Sequence, residues 1–218
     1  MKRTSILIIL GLTMGSLLSC SGGSKETKAE DSEPSIIDKV SETAGVKNLS
    51  SLEDKVKDME KVIKELKSQT PVSNEVLKAV LPESLAGMKR KEFAVGDASV
   101  LNIKSAKAKY EDVDERKKLK LEILDGAGET ASAMFSMVFM ALKMDREKET
   151  DTGFEKVVDF KDGRAVIKQK KDDNNVESEI EWLFKDRFII KLEGDGFTYE
   201  ELMGIANNLN LSNLGNNR

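Results

Sequence analysis

The feature that most constrains this chain is a run of short alternating segments joined by polar turns in its second half. Phe154 to Phe160 and Arg164 to Lys170 flank Lys161-Asp162-Gly163, and Val176 to Phe184 and Arg187 to Glu193 flank Lys185-Asp186. Segments of this length, separated by two to five turn residues, pair as antiparallel hairpins. Lys118 to Asp125 alternates cleanly, with Leu119, Leu121 and Ile123 set to face inward and Lys118, Lys120 and Glu122 outward. Two more strands are expected near Met88 to Val95, ended by a Gly96-Asp97 turn, and from Val100 to Tyr110. The pattern predicts about seven strands in one antiparallel sheet.

Helical signals interrupt the strands. Ser73 is placed to cap a short helix carrying Val76, Leu77 and Val80, which Pro82 and Gly87 terminate. After Gly126-Ala127-Gly128, residues Glu129 to Met144 are apolar nearly all round, which predicts burial on more than one side. Met134, Met137, Met140 and Met144 form a stripe at helical spacing on it. Methionine fills irregular cores and also lines adaptable binding surfaces, so the stripe reads either as core or as a ligand or partner face. Thr198 and Glu201 form a capping box for a last helix, with Leu202, Ile205, Ala206 and Leu209 as its buried stripe. Hairpins with helices on one face give a two-layer α+β domain over 71–211. The asparagine-rich residues 212–218 read as a disordered tail.

Ahead of this domain, 35–70 reads as a helical stalk. Ile36, Ile37 and Val40 start it. Leu49, Leu52, Val56, Met59, Ile63 and Leu66 then recur at spacings of three and four with Lys and Glu on the flanks. Three uses of that seam remain open: packing along the following domain, self-association as a coiled coil, or docking onto another envelope protein. Residues 20–34 begin Ser21-Gly22-Gly23-Ser24 after the cysteine and continue polar and acidic to Pro34. They are expected to form a flexible tether.

The first twenty residues set the compartment. Lys2 and Arg3 precede an apolar run from Ile6 to Leu18, the pattern of a secretory signal and too short to span a bilayer. Leu17-Leu18-Ser19-Cys20 follows, and Cys20 is the only cysteine in the chain. This segment resembles the lipobox of bacterial lipoproteins. The resemblance implies a signal peptide over 1–19, lipidation of Cys20 and cleavage before it, with the acyl chains, palmitate among them, held in the lipid bilayer. Ser21 after the cysteine resembles the outer-membrane class, and the acidic residues beyond resemble surface-export signals of some Bacteroidota lipoproteins. The expected location is therefore the bacterial outer membrane, on its periplasmic or cell-surface face. With Cys20 acylated, no disulfide is available and the core alone must supply stability.

Composition narrows the function. The formal net charge is −4 and aromatics make up 5% of the chain, a poor basis for nucleic-acid binding. There is no histidine in the sequence, which removes Ser-His-Asp and Cys-His machinery and the commonest zinc ligand. Asp125, between a strand end and two glycines, is the best-placed single acid, yet a lone Asp there reads first as a turn residue. Asp172-Asp173-Asn174-Asn175 lacks the Gly and distal Glu of an EF-hand and reads as a hairpin turn. Asp151-Thr152-Gly153 has the letters of an aspartic-protease motif without the second carboxylate that chemistry needs. Trp182, alternating with Ile180 and Phe184, reads as core.

Three stretches resemble a group of uncharacterised bacterial exported domains: Leu81-Pro82-Glu83-Ser84-Leu85-Ala86-Gly87-Met88, Ala106-Lys107-Ala108-Lys109-Tyr110, and Leu121-Glu122-Ile123-Leu124-Asp125. The layout is also similar to the PsbP-type α/β sandwich. Neither resemblance implies an activity. The sequence thus leads to a lipoprotein carrying a non-enzymatic binding or structural module, without metal or cofactor. The alternative is a carrier or sensor of a hydrophobic ligand built on helix 129–144.

Overall fold

The computed structural model describes residues 49–98 and 103–215. The expected signal segment, Cys20, the expected tether and the helix expected from Ile36, Ile37 and Val40 lie outside these residues. Nine strands form a single antiparallel sheet: β1 (Ser84–Leu85), β2 (Met88–Ala98), β3 (Ile103–Glu111), β4 (Lys118–Asp125), β5 (Glu147–Thr150), β6 (Gly153–Phe160), β7 (Gly163–Lys171), β8 (Val176–Phe184) and β9 (Phe188–Asp195). Their spatial order is β1-β2-β3-β4-β9-β8-β7-β6-β5. Two meanders, β1–β4 and β5–β9, therefore meet along their last strands, with Leu121 opposite Leu192 and Ile123 opposite Ile190.

Four α-helices accompany the sheet in the described residues: α1 (Leu49–Ser68), α2 (Asn74–Ala79), α3 (Glu129–Lys143) and α4 (Tyr199–Asn207). They cover both faces. On one face Leu77 and Val80, Leu202 and Ala206 close over Leu121, Ile180, Trp182 and Ile190. On the other, Val56, Met59 and Leu66 of α1 and Phe135 and Phe139 of α3 pack on Ile189, with Leu124 and Leu183 at the margin. Successive strand residues point to opposite faces. Ile189 and Ile190 thus belong to different cores, and the sheet is filled on both sides where the apolar run Phe188-Ile189-Ile190 crosses it.

These findings correct the seven-strand, one-faced arrangement expected from the sequence, and with it the separate stalk. The two added strands are edges. β1 has two residues, turned into β2 by Ala86 and Gly87 at φ 51° and 80°. β5 is Glu-Lys-Glu-Thr, exposed along its length, so it carries no alternation to read. Short and charged edges are how sheets avoid edge-to-edge pairing. β2 also runs through Gly96-Asp97, where a turn was expected, with Gly96 at φ 146° and a bulge between Arg90 and Glu92. The second half of the expected stalk is α1, whose seam lies against α3. The expected tail is ordered as far as a 3-10 turn over Ser212–Gly215. Leu211 and Leu214 are buried in the first core, where three leucines among asparagines (Leu209, Leu211 and Leu214) fill the space beside α2.

Local signals at the helix ends hold. Ser73 accepts from the Val76 amide, and Thr198 and Glu201 bond each other's backbone N–H as a capping box. The Leu81–Met88 segment is tied down by two side chains. The Tyr110 hydroxyl donates to the Pro82 carbonyl at 3.0 Å, and Arg90 donates to the carbonyl of Leu81 at 2.6 Å. Burial pushes the Tyr110 phenol up to about 12.

Candidate functional site

Asp125 is fully buried at the end of β4, and the structure gives it a framework role. Arg187, in the β8–β9 turn, meets it bidentately: Nε to Oδ1 and Nη2 to Oδ2, both at 2.8 Å. The Val72 amide donates to Oδ2 at 2.8 Å and the Ala127 amide to Oδ1 at 3.1 Å. Arg187 also donates to Gln69 Oε1 and to the Thr70 carbonyl. One carboxylate and one guanidinium thus lock the α1–α2 linker to the hairpin end and to the entry of α3. Both carboxylate oxygens are saturated, which leaves no lone pair directed at a substrate. Gly126 belongs to the same joint, since a Cβ there would lie 2.6 Å from the Arg187 carbonyl.

The four methionines of α3 divide between two environments. Met134, Met137 and Met144 are exposed, Met137 to 75%, while Met140 packs on the second core. Phe135, Phe139 and Leu142 form the inward face of the helix. Among the described residues the only other exposed large apolar side chains are Phe93 and Val113, so the α3 methionines dominate the apolar part of that surface. The seam of α1 is directed inward. Val56, Met59 and Leu66 are buried against α3 and Ile63 packs at their margin. Leu49 and Leu52 lie in the first turn of α1, and their side chains fall outside the described ones.

Beyond α1 and α3 the second face of the sheet opens into a hollow of about 630 Å³, lined by residues from seven strands, β3 through β5 in spatial order. A continuous chain of ion pairs crosses this face, and its Lys120, Glu193, Glu179 and Lys168 also line the hollow. Lys107 meets Glu122 at 2.8 Å, Lys120 lies between Glu122 and Glu193 at 3.8 and 3.0 Å, and Lys191 between Glu193 and Glu179, both at 2.9 Å. Lys168 closes on Glu179 at 2.9 Å. Burial lowers the Lys191 ammonium, but its hydrogen bonds to the two glutamates outweigh that and the net shift is upward. Burial likewise raises Glu193, and the two lysines reverse it to a net depression. Glu181, next to this chain, is raised by burial and then by the charge of Glu179. Alternation made Lys120 and Glu122 legible as outward-facing. That the charges join into one chain depends on strand order, which places β9 between β4 and β8.

The other motifs are turns. Asp172 accepts from the amides of Asn174 and Asn175, closing the β7–β8 hairpin, and Asp151-Thr152 forms the β5–β6 turn. Among the described residues no helix is long and apolar enough to cross a membrane. No family model, curated protein or solved structure matches the chain.

Proposed function

We propose that the protein is a lipoprotein of the bacterial outer membrane, anchored in the bilayer through acylated Cys20, whose folded domain is a non-enzymatic binding module. The anchor is supported by the sequence Leu17-Leu18-Ser19-Cys20 behind a basic and apolar leader. Two acyl chains suffice for stable attachment, and a lipoprotein cysteine carries at least that number. The observation that carries the binding role is the exposure of Met134 and Met137 on one helix, and of Met144 at its C-cap, with the opposite face of the helix locked into the core. A rigid helix bearing flexible, polarizable side chains suits contact with an apolar partner surface.

A photo-crosslinking residue placed at Met137 in intact cells tests the reading. A defined adduct that disappears in the Cys20→Ala background is expected. Absence of any adduct at Met134, Met137 and Met144 would remove the binding role from this helix. A second reading, a carrier of a hydrophobic ligand, is favoured by a cavity at the C-terminal end of α3, lined by Phe139, Leu142, Phe160 and Phe184.

A further inference from the structure

The two hairpins at that cavity carry the same three residues, Phe160-Lys161-Asp162 and Phe184-Lys185-Asp186. Lys161 and Lys185 stand at φ 52° and 55°, and Asp186 at 48°. Turns with positive φ select Gly, Asn and Asp, and a left-handed lysine is disfavoured at each site. Turn geometry does not account for the same strained choice in both hairpins, and such strain gathers at functional positions. Its consequence is visible in the cavity of about 380 Å³ that both turns line together with the last turn of α3. The Lys161 ammonium lies 5.5 Å from the Phe160 ring centre and 5.6 Å from that of Trp182. Lys185 lies 5.6 Å from Phe184, and Lys143 5.0 Å from Phe139.

Among the described residues none of these three lysines forms an ion pair, whereas Arg164, also on the wall, is held by Asp145 and by the Leu142 carbonyl. The carboxylates of Asp162 and Asp186 also line the cavity, leaving its walls with an excess of positive charge. Burial lowers the Lys161 ammonium against the smaller opposing effect of Asp162. Trp182 lines the same space, and its indole Nε1 is the one buried side-chain polar atom in the described residues without a hydrogen-bond partner. A buried donor without an acceptor is rare in folded proteins and calls for a specific cause.

We infer that this cavity binds a single-chain carboxylate amphiphile, its apolar chain against Phe160 and Phe184 and its carboxylate between Lys161 and Lys185. The volume lies near the lower end of small-ligand sites, which suits one medium-length chain and not a two-chain phospholipid. An aromatic floor beneath ammonium groups matches a ligand with an apolar body and one negative end. The inference deepens the hydrophobic-ligand carrier reading and uses a surface separate from the exposed methionines.

Trp182 is the only tryptophan in the chain, so intrinsic fluorescence reports on this cavity alone. The full-length protein in phosphatidylcholine nanodiscs is titrated with decanoate, decanol and decyltrimethylammonium, with empty nanodiscs correcting for partition. Decanoate is expected to change the emission saturably and to bind at least tenfold tighter than decanol, with no saturable response to the cation. Lys161→Gln with Lys185→Gln is expected to remove that preference while leaving the melting temperature unchanged. An absent saturable response to decanoate, equal affinity for decanol, or a charge-neutralised variant that binds decanoate as before would overturn the proposal. A failed titration alongside a Met137 adduct would overturn this site alone. The reverse result would overturn the methionine face and leave the cavity.

Discussion

Asp125 shows how one residue can be conspicuous for a structural reason. Its setting, a strand end followed by two glycines, is the setting of many reactive acids, and here it serves to hold three segments together. Breaking a buried ion pair by removing one partner costs about 3–5 kcal/mol, because the other charge stays buried and uncompensated. Asp125→Asn is therefore expected to lower unfolding free energy by about 3 kcal/mol, measured by urea denaturation, with the α1–α2 linker losing amide protection first. Glu181 has the opposite sign. Burial raises its pKa, so the folded state binds the proton more tightly than the unfolded chain, and stability falls as pH rises from the unfolded toward the folded value. Glu181→Gln is expected to raise the melting temperature at pH 7 to 8. That advantage should vanish below the ordinary carboxylate range, where the wild-type side chain is protonated in both states. A pH-independent difference between the two proteins would show that ionisation of Glu181 is not its cause.

At the scale of elements, α1 and α3 decide each other's environment. An amphipathic helix with a heptad-like seam reads the same from sequence whether its partner is a second copy or a neighbour in the same chain. α3 settles it here, because Phe135 and Phe139 fill the seam opposite Val56, Met59 and Leu66. Met59, 1% exposed, is expected to cost about 2–5 kcal/mol on substitution by alanine. Met137→Ala on the outer face should change stability by no more than about 0.5 kcal/mol. Equal effects in thermal denaturation would contradict this orientation of the helix pair. The edge strands make a related point. β5 pairs through its backbone while its four side chains stay in solvent, so pattern reasoning has nothing apolar to detect.

At the scale of the molecule, the anchoring prediction is the simplest to check: Cys20→Ala should leave the chain unprocessed or free of the membrane fraction. Normal cleavage with retention in the membrane would refute lipid anchoring. The architecture was partly legible. Seven of the nine strands, the Ser73 and Thr198 caps, the α3 helix and the Lys161-Asp162-Gly163 turn follow from local alternation, capping chemistry and turn residues, all carried by neighbours in sequence. The pairing of β4 with β9 does not, since strand order is set by which apolar rows bury one another across more than sixty residues. From that one pairing come the two-sided core at Ile189 and Ile190, the ion-pair chain from Lys107 to Lys168, and the grip of Arg187 on Asp125. The cavity at the Phe-Lys-Asp turns has a different origin, the pairing of β7 with β8 inside the second meander. Each turn is visible in the sequence and the short β7–β8 turn sets them at the same end of the sheet, but only the tertiary structure brings the end of α3 against them, because packing of a helix on a sheet face joins segments that are not neighbours in sequence.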